Sequence, residues 1–253
     1  DLIIRHADIR RSLMTMKSLI EGQRSLAFWL SQQIDVSLSH SNEKIRKSAE
    51  DLVSLITPVV KSFFTDMGTE ITNEAIQIFG GYGYTKDQGI EQLYRDNRIT
   101  PIYEGTNSVQ AIDLVFRKVL NNKILSNFIT LIKTEIKEEN GKIELQKFSK
   151  IIESNIQLLE DFAKWLEIKD KDKKDDVSSA CNDFLKVLGY ISLAYTWFKI
   201  TKVSLEKINE NKNFYEEKIN TAKYYFDKIL PRVDAHYKSA KTGSDYIMKA
   251  NFN

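Results

Sequence analysis

Apolar residues recur at steps of three, four and seven through most of this 253-residue chain, which is the spacing of one face of an α-helix. The clearest stripe lies in the second half of the chain and consists of Cys181, Phe184, Leu188, Ile191, Tyr195, Phe198, Leu205 and Ile208. Only 3 prolines and 10 glycines interrupt such patterns. The sequence therefore predicts an all-α fold built from helical bundles.

The predicted helices form two groups that meet near residue 120. They occupy segments 8–38, 43–56, 57–79, 90–97 and 107–120 in the first group, and 122–137, 143–168, 175–209 and 212–238 in the second. Their apolar stripes are typical of helices that cover a core on one side. We therefore predict a helical bundle at 1–120, followed by an additional helical bundle at 121–253 that forms a C-terminal extension.

Local chemistry predicts where individual helices begin, end and face the core. Thr57 followed by Pro58 predicts the start of a new helix, with Thr as its N-cap and Pro in its first turn. Segment 169–176 contains only Lys and Asp, which predicts a solvated loop between two helices. In the first bundle, the residues predicted to be buried include Met16, Ile20, Phe63, Met67 and Ile78.

Composition excludes several classes of function. The net charge is +2, and neither half of the chain is basic enough to favour nucleic acid as a partner. No apolar run approaches the ~18 residues of a membrane span and no signal peptide opens the chain, so we expect a cytoplasmic protein. The single cysteine, Cys181, is expected to be a small core residue. No metal site is expected, because the histidines are scattered at His6, His40 and His236.

The segment 94–110, YRDNRITPIYEGTNSVQ, places a carboxylate on a short connector between two helices. Pro101 sets a turn, Glu104 lies between Tyr103 and Gly105, and Thr106 is placed to cap the next helix. Because glycine lets two surfaces meet at backbone distance, a carboxylate here is suited to contact a flat ligand that approaches closely. Taken alone, the pattern also fits a capped turn with an exposed glutamate.

Upstream of this connector lies a run of Gly-Gly-aromatic-Gly-aromatic residues, at positions 80–84. This run, followed at this distance by Arg-Asp and then by Tyr-Glu-Gly-Thr, resembles the C-terminal signature of the acyl-CoA dehydrogenase family. The resemblance covers residues 6–120. The helices beyond residue 120 resemble the extension of a large-subunit branch of that family, which includes 3-methylmercaptopropionyl-CoA dehydrogenases.

The resemblance implies an FAD-dependent enzyme that introduces an α,β double bond into an acyl-CoA thioester. The α-hydrogen of a thioester is weakly acidic, so its removal needs a positioned base and a polarised carbonyl. By resemblance, Glu104 is the base that takes the α-proton, and the hydride passes to flavin N5. Tyr103 is expected to line the acyl pocket, and Gly105 to leave room for the substrate. An ordinary core aromatic is the alternative for Tyr103.

The resemblance also implies residues that bind FAD. Thr106 and Ser108 match positions near the flavin diphosphate and ribityl group, where a helix N-terminus favours phosphate. Gln77 and Gly81 match positions that touch the adenosine part of an FAD bound mainly to a neighbouring subunit. Plain N-capping is the alternative for Thr106, and a polar helix surface is the alternative for Gln77. In addition, we expect Arg95 and Asp96 to form a structural pair that braces the connector, rather than to act in catalysis.

Acyl-CoA dehydrogenases resembling this chain carry a helical domain and a β domain before the region matched here. We therefore expect a C-terminal fragment that folds but is free of FAD and inactive alone. For the complete enzyme, electron-transfer flavoprotein is the expected electron acceptor, and a homodimer or homotetramer is the expected assembly. Two alternatives stay open: an acyl-CoA oxidase of the same fold, and a non-catalytic helical module for oligomerisation or nucleic acid.

Overall fold

The structure is a computed structural model that describes residues 2–137 and 142–252. Its helices are α1 (Ala7–Ser39), α2 (Glu43–Phe79), α3 (Gly81–Tyr84), α4 (Ile90–Arg98), α5 (Asn107–Ile112), α6 (Leu125–Lys137), α7 (Ile143–Asp172), α8 (Lys174–Glu206), α9 (Lys212–Tyr224), α10 (Arg232–Ala240) and α11 (Asp245–Lys249). Wider π-helical turns extend α5 through Asp113–Asn121 and α9 through Tyr225–Ile229. Short 3₁₀ turns lie at Ile3–Arg5 and Lys86–Gln88. No strand occurs within the two described ranges, which confirms the all-α prediction.

Helix α2 runs without interruption through Pro58, so the predicted helix start at Thr57 is wrong. Proline lacks the N–H that would bond to the preceding turn. The Thr57 hydroxyl does not cap a new helix, because it donates to the carbonyl oxygen of Val53 at 2.7 Å, one turn earlier in α2. The helix is held on both sides of Pro58 by buried residues, among them Ile56 and Val59. Tertiary packing therefore keeps one helix where the local signal indicated two.

The buried face of the first helices differs in part from the predicted one. Phe63 and Met67 are buried as predicted, whereas Met16 and Ile78 are only half-buried and Ile20 is 41% exposed. The face of α1 that packs on α2 and α8 contains Leu19 and, two turns further along, Leu26. Ile20 is rotated by about 100° from Leu19, because an α-helix has 3.6 residues per turn. The prediction for Ile20 is wrong for that reason.

Helix α8 is the central element of the fold. Every residue at positions 187–198 is buried, and the helix contacts α1, α2, α5, α7, α9 and α10. A helix that is apolar all round is typical of a buried position. Within this stretch, the Ser192 hydroxyl donates to the Leu188 carbonyl of the same helix at 2.7 Å, whereas Trp197 Nε1 donates to the Ser18 carbonyl of α1 at 3.1 Å. The apolar core continues from α1 and α2 to α7 and α10, and the division into bundles at residue 120 stays a prediction.

The charged segment 169–176 is not the solvated loop that its composition predicts. Helix α7 continues to Asp172 and α8 begins at Lys174, so only Lys173 leaves the helical conformation. Lysines near the end of α7 and aspartates in the first turn of α8 both stabilise the helix dipoles. Asp176 is 2% exposed, and its carboxylate accepts hydrogen bonds from Ser244. The loop prediction failed because composition alone does not show that Asp176 has a hydrogen-bonding partner, Ser244, far along the chain.

Cys181 lies on the buried face of α8, which confirms its predicted place in the core. Its thiol donates to the carbonyl oxygen of Val177 at 3.2 Å, one turn earlier. Burial raises the pKa of the Cys181 thiol to about 12. The thiol is therefore protonated at neutral pH and is not suited to act as a nucleophile.

Candidate active site

The connector between α4 and α5, residues 99–106, is a compact loop closed by its own backbone hydrogen bonds. The N–H groups of Ile102 and Tyr103 donate to the carbonyl oxygen of Ile99 at 2.9 and 3.2 Å. The N–H of Asn107 donates back to the carbonyl oxygen of Pro101 at 3.1 Å. These bonds satisfy backbone groups in a segment outside a regular helix. The 99–106 loop therefore has one defined shape that sets the direction of the side chains it carries.

Glu104 has a left-handed backbone conformation, with φ +55°, and Gly105 follows with φ +80°. For a residue with a side chain, this conformation costs roughly 1–2 kcal/mol, and it persists only where the surroundings hold it. The Glu104 carbonyl oxygen accepts a hydrogen bond from Gln110 Nε2 at 3.1 Å. The Glu104 side chain itself is exposed. The loop thus presents a carboxylate at the surface on a constrained backbone.

Asn107, which the sequence analysis missed, is the residue that anchors this loop to α2. Its Nδ2 donates to Asp66 Oδ1 at 2.6 Å and to the Ser62 carbonyl oxygen at 3.1 Å. Its Oδ1 accepts from Lys61 Nζ at 2.9 Å, and the same ammonium donates to the Gly105 carbonyl oxygen at 2.7 Å. One side chain therefore connects the start of α5, the end of the loop and the middle of α2.

A weak signal for this anchor exists in the sequence. Helix α2 carries the polar residues Lys61, Ser62, Thr65 and Asp66 beside apolar core positions, at spacings that place them close together on the helix. Ser62 is buried, although serine is usually exposed. Polar side chains that packing shields from water require hydrogen-bonding partners. The sequence does not show that Asn107 supplies them.

The proposed bracing pair of Arg95 and Asp96 is wrong. Asp96 Oδ1 accepts from Gln92 Nε2 at 2.6 Å, and no ion pair joins Arg95 to Asp96 in the described part of the chain. Consecutive residues on a helix point in different directions, which separates their charges. The contact that seats α4 on α2 is made by the next residue, because Asn97 Nδ2 donates to Thr69 Oγ1 at 2.8 Å.

Thr106 and Ser108 lie at the N-terminal turn of α5, next to Glu104. Thr106 is the N-cap, and its Oγ1 accepts from the backbone N–H of Val109 at 3.4 Å. This contact confirms the capping interpretation. Ser108 Oγ accepts from Asn182 Nδ2 of α8 at 3.4 Å. Both residues are exposed, so their hydroxyl groups are accessible to a ligand at this helix end.

Gln77 and Gly81 lie apart from the loop, near the far end of α2. Gln77 is eleven positions beyond Asp66 on the same helix, which corresponds to about 16 Å along its axis. The Gln77 side chain is exposed. A Cβ added to Gly81 would have no neighbouring atom within 4 Å, so its surface is open. Residues 103–108 therefore lie together on the loop and the first turn of α5. Gln77 and Gly81 lie apart from them, at the C-terminal end of α2.

Exposed apolar side chains surround both positions. Tyr103 is 53% exposed beside Glu104, and Tyr82 is 74% exposed next to Gly81. Tyr82 and Phe79 line an open cleft of about 400 Å³ together with Ile3, Ile78 and Gln88. Open hydroxyl groups at a helix N-terminus suit phosphate and ribityl oxygens, and open apolar side chains suit a ring or an acyl chain. The residues present therefore fit an elongated ligand such as FAD.

Two other classes of site find no support in the described residues. No group of three or more His, Cys, Asp or Glu side chains among them is arranged to hold a metal ion. His236 instead hydrogen-bonds to Asp183, with 2.8 Å between Nδ1 and Oδ1. No helix within 2–137 or 142–252 has the length and apolar character needed to cross a membrane.

Two family models match the chain, one in each half. Residues 1–119 match the acyl-CoA dehydrogenase C-terminal domain, and residues 128–251 match the acetyl-CoA dehydrogenase C-terminal-like region. The chain belongs to the acyl-CoA dehydrogenase family. It corresponds to the C-terminal region of that family, including its helical extension.

Named relatives agree with this assignment. The chain is 42% identical to 3-methylmercaptopropionyl-CoA dehydrogenase of Ruegeria pomeroyi over 120 residues, which is 47% of this chain and 20% of that protein. It is 29% identical to a butyryl-CoA dehydrogenase of Syntrophomonas wolfei over 245 residues, or 91% of this chain and 39% of that protein. The chain thus spans well under half the length of these relatives.

A solved structure shows the same fold. An acyl-CoA dehydrogenase from Bacillus anthracis, crystallised with FAD, superposes with a TM-score of 0.74. The superposition covers 99% of this chain and 44% of that protein, at 18% sequence identity. At this level of identity the likeness concerns the fold. It includes the helical extension, because nearly the whole chain is covered.

Proposed function

We propose that this chain is the C-terminal part of an FAD-dependent acyl-CoA dehydrogenase, in which Glu104 removes the α-proton of an acyl-CoA thioester. The observation that carries the proposal is the backbone of Glu104, which is held in a left-handed conformation on a loop anchored to α2. Strained residues cluster at functional sites, where the surrounding structure over-determines them. The family membership of both halves of the chain supports the same function.

The chain's own contribution to the reaction is a positioned base. The backbone of Glu104 is held by the Gln110 contact on its carbonyl oxygen and by the Lys61 contact on the next residue, which positions the point from which the exposed carboxylate extends. Gly105 leaves space for the thioester, and Tyr103 offers an open aromatic face for the acyl chain. The chemistry that the chain itself lacks, acceptance of a hydride from the β-carbon at flavin N5, would be supplied by bound FAD.

Two groups of residues would hold that cofactor. Thr106 and Ser108 offer exposed hydroxyl groups at the start of α5, where the helix dipole favours the diphosphate. Gln77 and Gly81, further along α2, are proposed to contact the adenosine part of an FAD that belongs mainly to a neighbouring subunit. The separation of these two groups along α2 is consistent with an extended dinucleotide.

The partners proposed for the complete enzyme follow from the same assignment. They are the acyl-CoA substrate, electron-transfer flavoprotein as electron acceptor, and further copies of the chain in a homodimer or homotetramer. A cytoplasmic location is proposed with them. The few neutral FAD contacts on this chain are not expected to offset the ~4–15 kcal/mol cost of immobilising a ligand. The chain alone is therefore expected to purify without FAD and to be inactive.

The experiment that tests the function is reduction of the flavin in the FAD-loaded enzyme that contains this chain. Mixing with acyl-CoA in the absence of oxygen is expected to bleach the flavin absorbance. Rapid return of the absorbance on admitting oxygen, with stoichiometric oxygen consumption, would identify an acyl-CoA oxidase instead. Absence of bleaching with acyl-CoAs of every chain length would favour the non-catalytic helical module.

A further inference from the structure

An ion pair joins the second half of the chain to the anchor of the Glu104 loop. Lys186, on α8, contacts Asp66 Oδ2, on α2, although the two residues are 120 positions apart. Both side chains are largely shielded, with 20% and 30% of their surface exposed. The other oxygen of Asp66 accepts from Asn107 Nδ2 at 2.6 Å. The carboxylate of Asp66 therefore lies between the ammonium of α8 and the first residue of α5.

From Asn107 the contacts continue to the loop itself. Asn107 Oδ1 accepts from Lys61 Nζ at 2.9 Å, and this ammonium donates to the Gly105 carbonyl oxygen at 2.7 Å. The backbone of Asn107 is held as well, because its carbonyl oxygen accepts from Ser62 Oγ at 3.1 Å. A continuous row of charge-assisted hydrogen bonds thus leads from α8 to the residue that follows Glu104. Such bonds are stronger than those between neutral groups.

Close backbone packing fixes the position of Lys186. One turn further along α8, a Cβ added to Gly189 would lie 2.6 Å from Phe63 Cγ, so α8 rests directly on α2 at this point. Lys186 Nζ lies 6.0 Å from the centroid of the same Phe63 ring. An exposed lysine on a free surface contributes little through an ion pair. Lys186 differs, because packing against Phe63 holds its helix beside Asp66.

We propose that Lys186 is a positioning residue for Glu104, acting through Asp66 and Asn107. Its ammonium compensates the partly buried charge of Asp66, which keeps the carboxylate turned towards Asn107. When that compensation is lost, a shielded carboxylate turns towards water, and Asn107 loses its strongest acceptor. The role of Lys186 in catalysis rests on the function proposed above, whereas its effect on the shape of the loop is independent of that function.

Amide hydrogen exchange of the chain itself tests the effect on the loop. In Lys186→Met, the backbone amides of Asn107, Val109 and Gln110 are expected to exchange about tenfold faster than in the wild type, because local opening becomes easier. Lys186→Arg, which keeps the charge, is expected to restore the rate to within about twofold. The matched control is Lys133→Met, which removes a partly shielded ion pair with Glu160 elsewhere in the chain. It is expected to leave the loop amides unchanged.

Wild-type exchange of these amides in Lys186→Met would overturn the proposal, as would equal acceleration in the Lys133→Met control. If Lys186→Met does not fold, Asp66→Asn decides the same question. This substitution keeps the size of the side chain and an acceptor oxygen but removes the charge, so severalfold faster exchange of the loop amides is expected. Unchanged exchange in Asp66→Asn would likewise overturn the proposal.

The role of Lys186 in positioning Glu104 for catalysis is tested in the FAD-loaded enzyme. Lys186→Met is expected to lower the rate constant of flavin reduction at saturating acyl-CoA by about tenfold, with KM within about twofold of the wild type, since orientation rather than binding is lost. Lys186→Arg is expected to restore the rate. A faster-exchanging loop with an unchanged reduction rate would overturn the role in positioning Glu104. If the wild-type enzyme itself fails to reduce its flavin, the proposed function is wrong. The exchange experiment still decides whether Lys186 holds the 99–106 loop.

Discussion

Asp176 Oδ1 accepts two hydrogen bonds from Ser244, one from its backbone N–H at 2.8 Å and one from its hydroxyl at 2.7 Å. The other carboxylate oxygen of Asp176 pairs with Lys169 Nζ at 3.0 Å. Asp176 and Ser244 are 68 positions apart in the sequence. This contact ties the first turn of α8 to the segment that precedes α11. A carboxylate that is 2% exposed is thereby fully paired.

Ser244→Ala is expected to lower the free energy of unfolding by about 1–3 kcal/mol, the usual cost of leaving a buried charged acceptor with one hydrogen bond fewer. The backbone N–H of residue 244 stays in place, so the fold itself should persist. Urea unfolding followed by circular dichroism measures the change. Ser178→Ala, an exposed position in the same turn of α8, is the control and should change little. Equal effects of the two substitutions would show that the hydroxyl bond to Asp176 contributes nothing.

Acid should weaken the same contact. Burial tends to raise the pKa of Asp176, but hydrogen bonds from Ser244 and Lys169 and the charge of Lys173 outweigh it and hold the pKa below its ordinary value. A carboxylate with a depressed folded-state pKa stabilises the fold above its unfolded pKa, about 3.9 for Asp, and loses that contribution as the pH falls further. The difference in unfolding free energy between wild type and Asp176→Asn should be constant from neutral pH down to about pH 5 and shrink below about pH 4. A difference that grows as the pH falls would contradict this account.

Gly189→Ala should destabilise the contact between α8 and α2. The added Cβ would meet the ring of Phe63, which is fully buried and packs edge-on against Tyr190 with ring centroids 4.8 Å apart. Overpacking of this kind costs about 1–3 kcal/mol. Thermal unfolding measures the loss. The control is Gly81→Ala, whose Cβ would have open space around it. Unchanged stability in Gly189→Ala would mean that the two helices are less closely packed than the structure shows.

Glu104→Gly should stabilise the chain while removing the carboxylate. The left-handed conformation at φ +55° carries a cost for glutamate that glycine avoids, so a gain of up to about 1 kcal/mol is expected after the greater freedom of the unfolded glycine is subtracted. Glu153→Gly, at an exposed position inside α7, is the control and should lose about 0.5–1 kcal/mol. Urea unfolding compares them. Destabilisation of the two variants by the same amount would argue against a strained residue at 104.

The sequence predicted the helical architecture because apolar residues spaced three and four positions apart indicate a helix locally. The short loop before α5 lies where it was predicted, and so does the stripe of α8 as far as Leu205, whereas Ile208 lies beyond the end of that helix at Glu206. The ends of elements were less predictable. Pro58 indicates a helix start by itself, but the buried residues on both sides of it keep α2 continuous.

Contacts between distant segments explain what the sequence could not show. The aspartate at 176 is indistinguishable from its charged neighbours until Ser244, 68 positions away, is placed beside it. Asn107 follows a helix cap and gives no sign that Asp66 and Lys61 surround its amide. In the candidate site, the sequence identified the residue that carries the carboxylate. The residues that hold its loop become visible only when α2, α5 and α8 are packed together.

The central claim is that Glu104 takes the α-proton, and the rate of flavin reduction in Glu104→Gln tests it most directly. The FAD-loaded variant should retain its flavin and bind acyl-CoA, because the amide has the size of the carboxylate. It cannot accept the proton, so reduction should be slower by about 10²–10⁴-fold. Glu153→Gln, at an exposed position on α7, is the control and should reduce its flavin at the wild-type rate. A near wild-type rate of flavin reduction in Glu104→Gln would show that Glu104 is not the base.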